Sequence, residues 1–228
     1  GQLASGVASF FGNVGFILVY VVFLLIEQSG FSAKVDAVVG NDEARRARVK
    51  YIIERINTDI RMYLWVKTLL SIATGGISYL VMLAVGVDYA EFWAVLIFLL
   101  NYIPTIGSIM GIVFPLLQTL VQFDEPLTPF IIVAVSLGAT QLITGNVVEP
   151  KMMGKSLSLS PLVILISLAG WGSIWGVIGM FLSVPITVIA MIVFAQFRPT
   201  RPIAIILSSD GNVSHLESED TRQTASPV

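Results

Sequence analysis

From Thr68 to Val148 the chain carries no lysine or arginine, although the interval is crowded with Leu, Ile, Val and Phe. A water-soluble surface cannot be covered without charge, so a segment of this kind has to find an apolar solvent or be buried. The rest of the chain agrees. Of 228 residues 55% are hydrophobic and only 12% are Asp, Glu, Lys or Arg, where an ordinary soluble domain has roughly 25%. Mean hydropathy is +0.85. The bilayer is the solvent that such a chain suits, and the sequence predicts an all-α, polytopic membrane protein with the lipid bilayer as its first partner. There are no cysteines and a single histidine, His215, placed in a polar tail away from every apolar segment. That removes disulfides, thiolate nucleophiles and Cys metal sites.

The organisation follows from where the charge sits. An apolar stretch over 3–26 is long enough to span and carries Ala4, Ala8 and Gly12 at four-residue spacing. The stripe fits either close helix contact or the general abundance of small residues in membrane helices. Gly1 is followed at once by apolar residues with no basic region before them, which reads neither as a signal peptide nor as a natural start, so a truncated N-terminus is expected. Residues 28–67 hold eight of the thirteen basic residues, Lys34 to Lys67. Within them Val49, Ile52, Ile53, Ile56 and Ile60 recur at helical spacing opposite Lys50, Glu54, Arg55, Asn57 and Asp59, the pattern of an amphipathic helix at the interface or packed on the bundle. Acids interleave with these basic residues and no aromatic platform accompanies them, so nucleic acid is not expected as a partner.

The loops within the Lys/Arg-free interval carry Asp88, Glu91, Asp124 and Glu125, and basic residues resume at Lys151, Lys155, Arg198 and Arg201. The positive-inside rule then places residues 28–62, the Lys151 loop and the C-terminus in the cytoplasm and the acidic loops outside. The run 63–87 crosses outward and 129–148 crosses back. The blocks 89–123 and 160–197 must each return to their own side. Both are broken in the middle, by Asn101-Tyr-Ile-Pro-Thr-Ile-Gly107 and by Gly170-Trp-Gly-Ser-Ile-Trp-Gly176. They read as broken or re-entrant helical hairpins in inverted orientation, because Pro104 lacks a donor, glycines weaken a helix, and bare backbone at that depth needs protein or a wet cavity around it. The breaks also align, Gly107-Ser-Ile-Met-Gly111 on Gly172-Ser-Ile-Trp-Gly176, at an offset of 65 residues. Oppositely oriented halves with corresponding breaks are the pattern of inverted-repeat transporters. The expected division is a transmembrane helix over 1–27, a cytoplasmic amphipathic segment over 28–62, a transport core over 63–197 and a cytoplasmic, largely disordered tail over 198–228.

Ionisable groups within the membrane are the natural candidates for function. Glu149 lies at the cytoplasmic end of a spanning helix, where Pro150 disfavours helical dihedrals. It can serve as a proton or cation carrier, or as a structural pair or cap with Lys151. Gln141 and Asn146 precede it on the same helix and suit either a solute or interhelical hydrogen bonds. Asn101 stands before the first break, ready to bind freed backbone or a polar substrate. Trp65, Trp93, Trp171 and Trp175 suggest interface belts and packing rather than ligand stacking. With no phosphate loop, no His/Asp/Glu cluster and no nucleophile beside a base, neither an enzyme nor a metal or cofactor is expected.

Three segments carry a resemblance to a known family. Asn101-Tyr-Ile-Pro-Thr-Ile-Gly107, Asn146-Val-Val-Glu-Pro-Lys-Met-Met-Gly-Lys-Ser-Leu-Ser-Leu-Ser-Pro161 and Gly176-Val-Ile-Gly-Met-Phe-Leu-Ser-Val-Pro185 are similar, in order and over nearly all the chain, to the autoinducer-2 exporter family of bacterial permeases. The resemblance implies a multi-pass protein of the inner membrane, of which this chain looks like the C-terminal portion. It implies export of autoinducer-2 or another small polar solute, with sodium or lithium/proton antiport in some relatives, and homo-oligomers, pentamers among them. The family's motif residues fall here on Pro104, Gly107, Asn146, Pro150, Lys151 and Gly154. Thr105 and Ser108 depart from the aromatic or aliphatic residue and the proline of many relatives, which leaves the shape of that break open. In the transport reading Asn101, Gln141 and Asn146 contact a polar solute or backbone near the cavity, Pro104, Gly107, Gly172 and Gly176 supply the unwound breaks, and Glu149 with Lys151 forms a cytoplasmic gate or coupling site. A cation/proton antiporter on the same scaffold and a non-transporting membrane scaffold are the alternatives.

Overall fold

The computed structural model describes residues 42–153 and 159–216, together with the single positions 23, 34, 37 and 40. The expected first membrane helix, Gly154 and the last twelve residues of the tail lie outside the described residues. The chain forms two compact units, residues 1–50 and 51–228. In the first, Asp42 accepts the Arg45 amide at 3.1 Å, which caps the start of a helix.

Every element among the described residues is helical, apart from one isolated bridge between Leu159 and Ser208. The helices are α1 (Glu43–Val85), α2 (Ala90–Leu100), α3 (Ile106–Gln122), α4 (Leu127–Ile143), α5 (Glu149–Met153), α6 (Pro161–Ala195) and α7 (Arg201–Leu207). Thr144–Val148 forms a π-turn that joins α4 to α5. Three helical spans, Arg45–Val85, Leu127–Met153 and Pro161–Ala195, are long and apolar enough to cross a membrane. The all-α membrane architecture read from the sequence is therefore present.

The first hairpin is α2 and α3. Gln122 closes its base by accepting the Asp88 amide at 2.8 Å and donating to the Gly86 carbonyl at 2.7 Å, while Trp93 stacks on Phe114 across the arms with ring centroids 6.2 Å apart. The reversal occupies residues 101–105, where Thr105 takes φ 63° and the Ile106 amide donates to the Pro104 carbonyl at 2.6 Å. A β-branched residue at positive φ is a strained backbone, held there by the packed arms around it.

The second hairpin lies inside α6. Gly176 has φ 62° and ψ −140°, which breaks the helix in two. Thr187 donates from Oγ1 to Ser167 Oγ at 2.9 Å. Twenty residues of straight helix would hold those side chains about 30 Å apart, so the chain folds back on itself at Gly176.

The repeat register expected from the sequence is not the structural one. Gly107 lies beyond the first break, whereas Gly172 lies before the second, in regular helix. The true counterparts are Gly107, where a Cβ would stand 1.8 Å from the Leu100 carbonyl oxygen, and Gly179, where it would stand 1.9 Å from that of Trp171. Each admits the backbone of the preceding arm. The matched Gly-Ser-Ile letters reflect the small residues that close helix packing favours, not an equivalent place in the turn.

Three further expectations change. The boundary between the surface segment and the core at 62/63 is not a break, because α1 is continuous across it. Asp59, assigned to the polar face, is 2% exposed and bound to Arg55 Nε at 2.9 Å. The tail after Arg198 is folded as far as residue 216: α7 and a short 3₁₀ turn, Ser214–Leu216, bury Ala204, Val213 and Leu216 beside Val188, Met191 and Ile192 of α6. Val213 and Leu216, three apart, fall on one face of that turn, which gives the tail the packable side that its Ser/Asp composition concealed.

Candidate functional site

The site begins with a polar stripe on α1. Lys67, Ser71, Thr74 and Ser78 stand at i, i+4, i+7 and i+11, one face of a helix, and all are buried to 4% exposure or less. Polar groups inside a bundle need partners; Lys67 and Ser71 find theirs on neighbouring elements, while Thr74 Oγ1 is buried without a hydrogen-bond partner. Asn101, at the end of α2, donates from Nδ2 to Ser71 Oγ at 3.1 Å. Next to it the Tyr102 hydroxyl and Thr68 Oγ1 share a hydrogen bond of 2.7 Å. Asn101 thus joins α1 through a side chain instead of capping freed backbone.

Facing this stripe is the carboxyl end of α4 with its π-turn. Lys67 Nζ lies 2.6 Å from Glu149 Oε1, the lysine side chain 5% exposed and the glutamate 23%. This pair joins elements that are far apart in sequence, and it replaces the expected pairing of Glu149 with Lys151. Residues two apart on a helix do not face each other, and Lys151 is turned to the exposed side of α5 with Pro150. Gln141 is buried, and its amide nitrogen lies beside Gly111 of α3, close enough that a Cβ there would meet it at 3.5 Å. Asn146 donates from Nδ2 to Leu142 O at 3.2 Å, so its bond is within its own helix and not between helices.

Between these elements is a cavity of about 580 Å³. Its polar lining is Lys67, Asn101, Thr105, Ser108, Gln141, Asn146 and Glu149, and its apolar walls are Ile103, Pro104, Ile109, Ile112 and Leu142. Of the residues picked out from the sequence, the structure brings together Asn101, Pro104, Gln141, Asn146 and Glu149. Gly107 sits behind the wall, at the close approach to Leu100. Pro150, Lys151, Gly172 and Gly176 do not line the cavity. Lys67 and Ser71 escaped the sequence reading as site residues, and Thr105 and Ser108 entered it only as departures from the family's motif. Lys67 was counted with the surface basic residues, although the i, i+4, i+7, i+11 polar pattern that begins with it was present in the letters.

The arrangement suits binding and passage rather than bond making. The one charged pair neutralises itself, and what remains are amides and hydroxyls that can replace a solute's water. Among the described residues no group of three His, Cys, Asp or Glu side chains is placed to hold a metal ion.

Comparison with known proteins places this chain in a family. The profile described as AI-2E family transporter matches residues 1–198. The AI-2 transport protein TqsA of Escherichia coli K12 is 36% identical over 207 residues, 91% of this chain and 57% of its own length. Relatives named "Putative transport protein" are 34% identical in Borreliella burgdorferi, over 91% of this chain and 57% of theirs, and 37% identical in Haemophilus influenzae, over 89% and 57%. The chain thus spans little more than half the length of the curated relatives it matches.

Proposed function

The chain belongs to the AI-2E transporter family, whose members are transporters and not enzymes, and from that membership we propose that it exports a small polar solute resembling autoinducer-2 across the bacterial inner membrane. The observation that carries this reading is the cavity walled by α1, the first break and α4. Its neutral amides and hydroxyls surround an ion pair that is compensated within itself. Such a lining favours an uncharged, hydroxyl-rich solute, because each donor and acceptor lost from water finds a partner while a net charge finds none. The name of the 36% identical relative, an AI-2 transport protein, supports that choice of solute.

In this reading the Lys67–Glu149 pair closes the cavity and the solute or a proton parts it. Hairpin lengths support broken, re-entrant insertion: α2, with 11 residues, is about 16 Å long, short of the roughly 30 Å hydrocarbon thickness. The distribution of Lys and Arg supports an orientation with the Lys151 end in the cytoplasm. Antiport of a monovalent cation against protons is a second reading, favoured by one observation: Glu149 is a partly exposed carboxylate on the cavity wall whose partner, Lys67, can be displaced by another cation.

Uptake of labelled autoinducer-2 into inverted membrane vesicles carrying the full-length protein tests the proposal. Accumulation that depends on the proton gradient is the expected result. Sodium-dependent proton movement without autoinducer-2 uptake transfers the assignment to antiport, and absence of both from folded protein refutes transport through this site.

A further inference from the structure

The path of the backbone just before Glu149 shows how that carboxylate comes to face Lys67. Thr144–Val148 is a π-turn, and the Glu149 amide donates to the Thr144 carbonyl five residues back instead of four. The turn ends at Val148, with Glu149 between it and Pro150. A proline inside a helix has no N–H to give, and its ring collides with the carbonyl four residues earlier, here that of Asn146. Widening the turn moves that carbonyl out of the way. Side chains also reach back one turn here: Thr144 Oγ1 donates to Thr140 O at 2.7 Å, a carbonyl that the Thr144 amide reaches as well, and Asn146 Nδ2 donates to Leu142 O at 3.2 Å.

The consequence is a change of register. One extra residue in a turn rotates everything beyond it by about 100° relative to an unbroken α-helix. Glu149 is the first residue beyond, and in this register its carboxylate reaches Lys67 Nζ at 2.6 Å. Were α4 to continue as a regular helix, Val148 would take that bearing and Glu149 would point away from the lysine. We propose that Pro150, exposed and off the cavity wall, is a positioning residue: it enforces the π-turn, and the π-turn sets Glu149 in register with Lys67. This rests on the proposed role of the pair as the cavity's closure, but its test reads helix register and not flux, so the two can fail separately.

The chain has no cysteine, which permits a register measurement in the full-length protein once any other cysteine is removed. Lys67→Cys is combined with Glu149→Cys or with Val148→Cys, and a short bifunctional thiosulfonate reports which pair crosslinks. Since both members of the ion pair are replaced, the crosslink reports the backbone alone. With Pro150 in place the crosslink is expected at 149. With Pro150→Ala, which restores the N–H and removes the ring, it is expected to move by one residue to 148, and Pro150→Ser should repeat the shift. A crosslink that stays at 149 in both variants, or disappears from both positions, overturns the proposal.

Discussion

Lys67 is held at 4% exposure, among apolar, hydroxyl and amide side chains, and it is tolerable there because Glu149 stands against it. The two partners are not equally vulnerable. Removing the carboxylate leaves a buried ammonium without its counter-charge, whereas removing the lysine leaves a carboxylate that already faces the cavity at 23% exposure and can hydrate. Glu149→Ala is therefore expected to lower stability by on the order of 3 kcal/mol, and Lys67→Met by distinctly less. The double variant Lys67→Met/Glu149→Met should regain most of the stability, since a buried pair replaced by apolar side chains is often neutral, and yet remain defective in transport. Thermal unfolding in detergent beside vesicle flux measures both; a double variant that transports normally would remove the pair from the mechanism. At this scale the sequence was half legible. Glu149 stood out through Pro150 and the polar residues before it. Lys67 did not, because counting basic residues over 28–67 merges a lysine that begins a buried stripe with the surface basic residues upstream of it.

The two hairpins show the same division at the scale of elements. Their breaks could be read from Pro104 and Gly176, which lack a donor or admit a positive φ, and those are local properties of letters. What the letters could not show was which glycine admits the opposite arm, because that depends on how two helices meet. Gly107 does so, with the Leu100 carbonyl where a Cβ would be. Gly107→Ala must push the arms of the first hairpin apart, and a loss of about 3 kcal/mol is expected. Gly138, on the cavity side of α4, has nothing within 4 Å of its Cβ position, and Gly138→Ala is expected to be neutral or to gain up to about 1 kcal/mol from helix propensity. Comparison of the two melting midpoints checks this, and an equal effect of both substitutions would contradict the close approach.

Within residues 51–228 α1 acts as a spine. Its first half packs through Ile52, Ile56 and Tyr63 against α6, α7 and the terminal turn, and its second half packs through Tyr79, Met82 and Val85 against the first hairpin and α4. The polar stripe and the cavity lie between these two apolar clusters along the helix. Composition alone was enough to place the chain in a membrane, and the motif segments were enough to suggest its family. The arrangement of the cavity was not legible, because it is made by residues from α1, the first break and α4 that only tertiary packing brings together. The central claim is that solute passes through this cavity. The most direct test is autoinducer-2 flux through full-length Ser108→Cys protein in inverted vesicles, before and after the new thiol on the cavity wall is labelled by a bulky thiosulfonate. Flux before labelling and its loss afterwards, with autoinducer-2 itself slowing the labelling, is the expected result; undiminished flux at complete labelling would contradict the account.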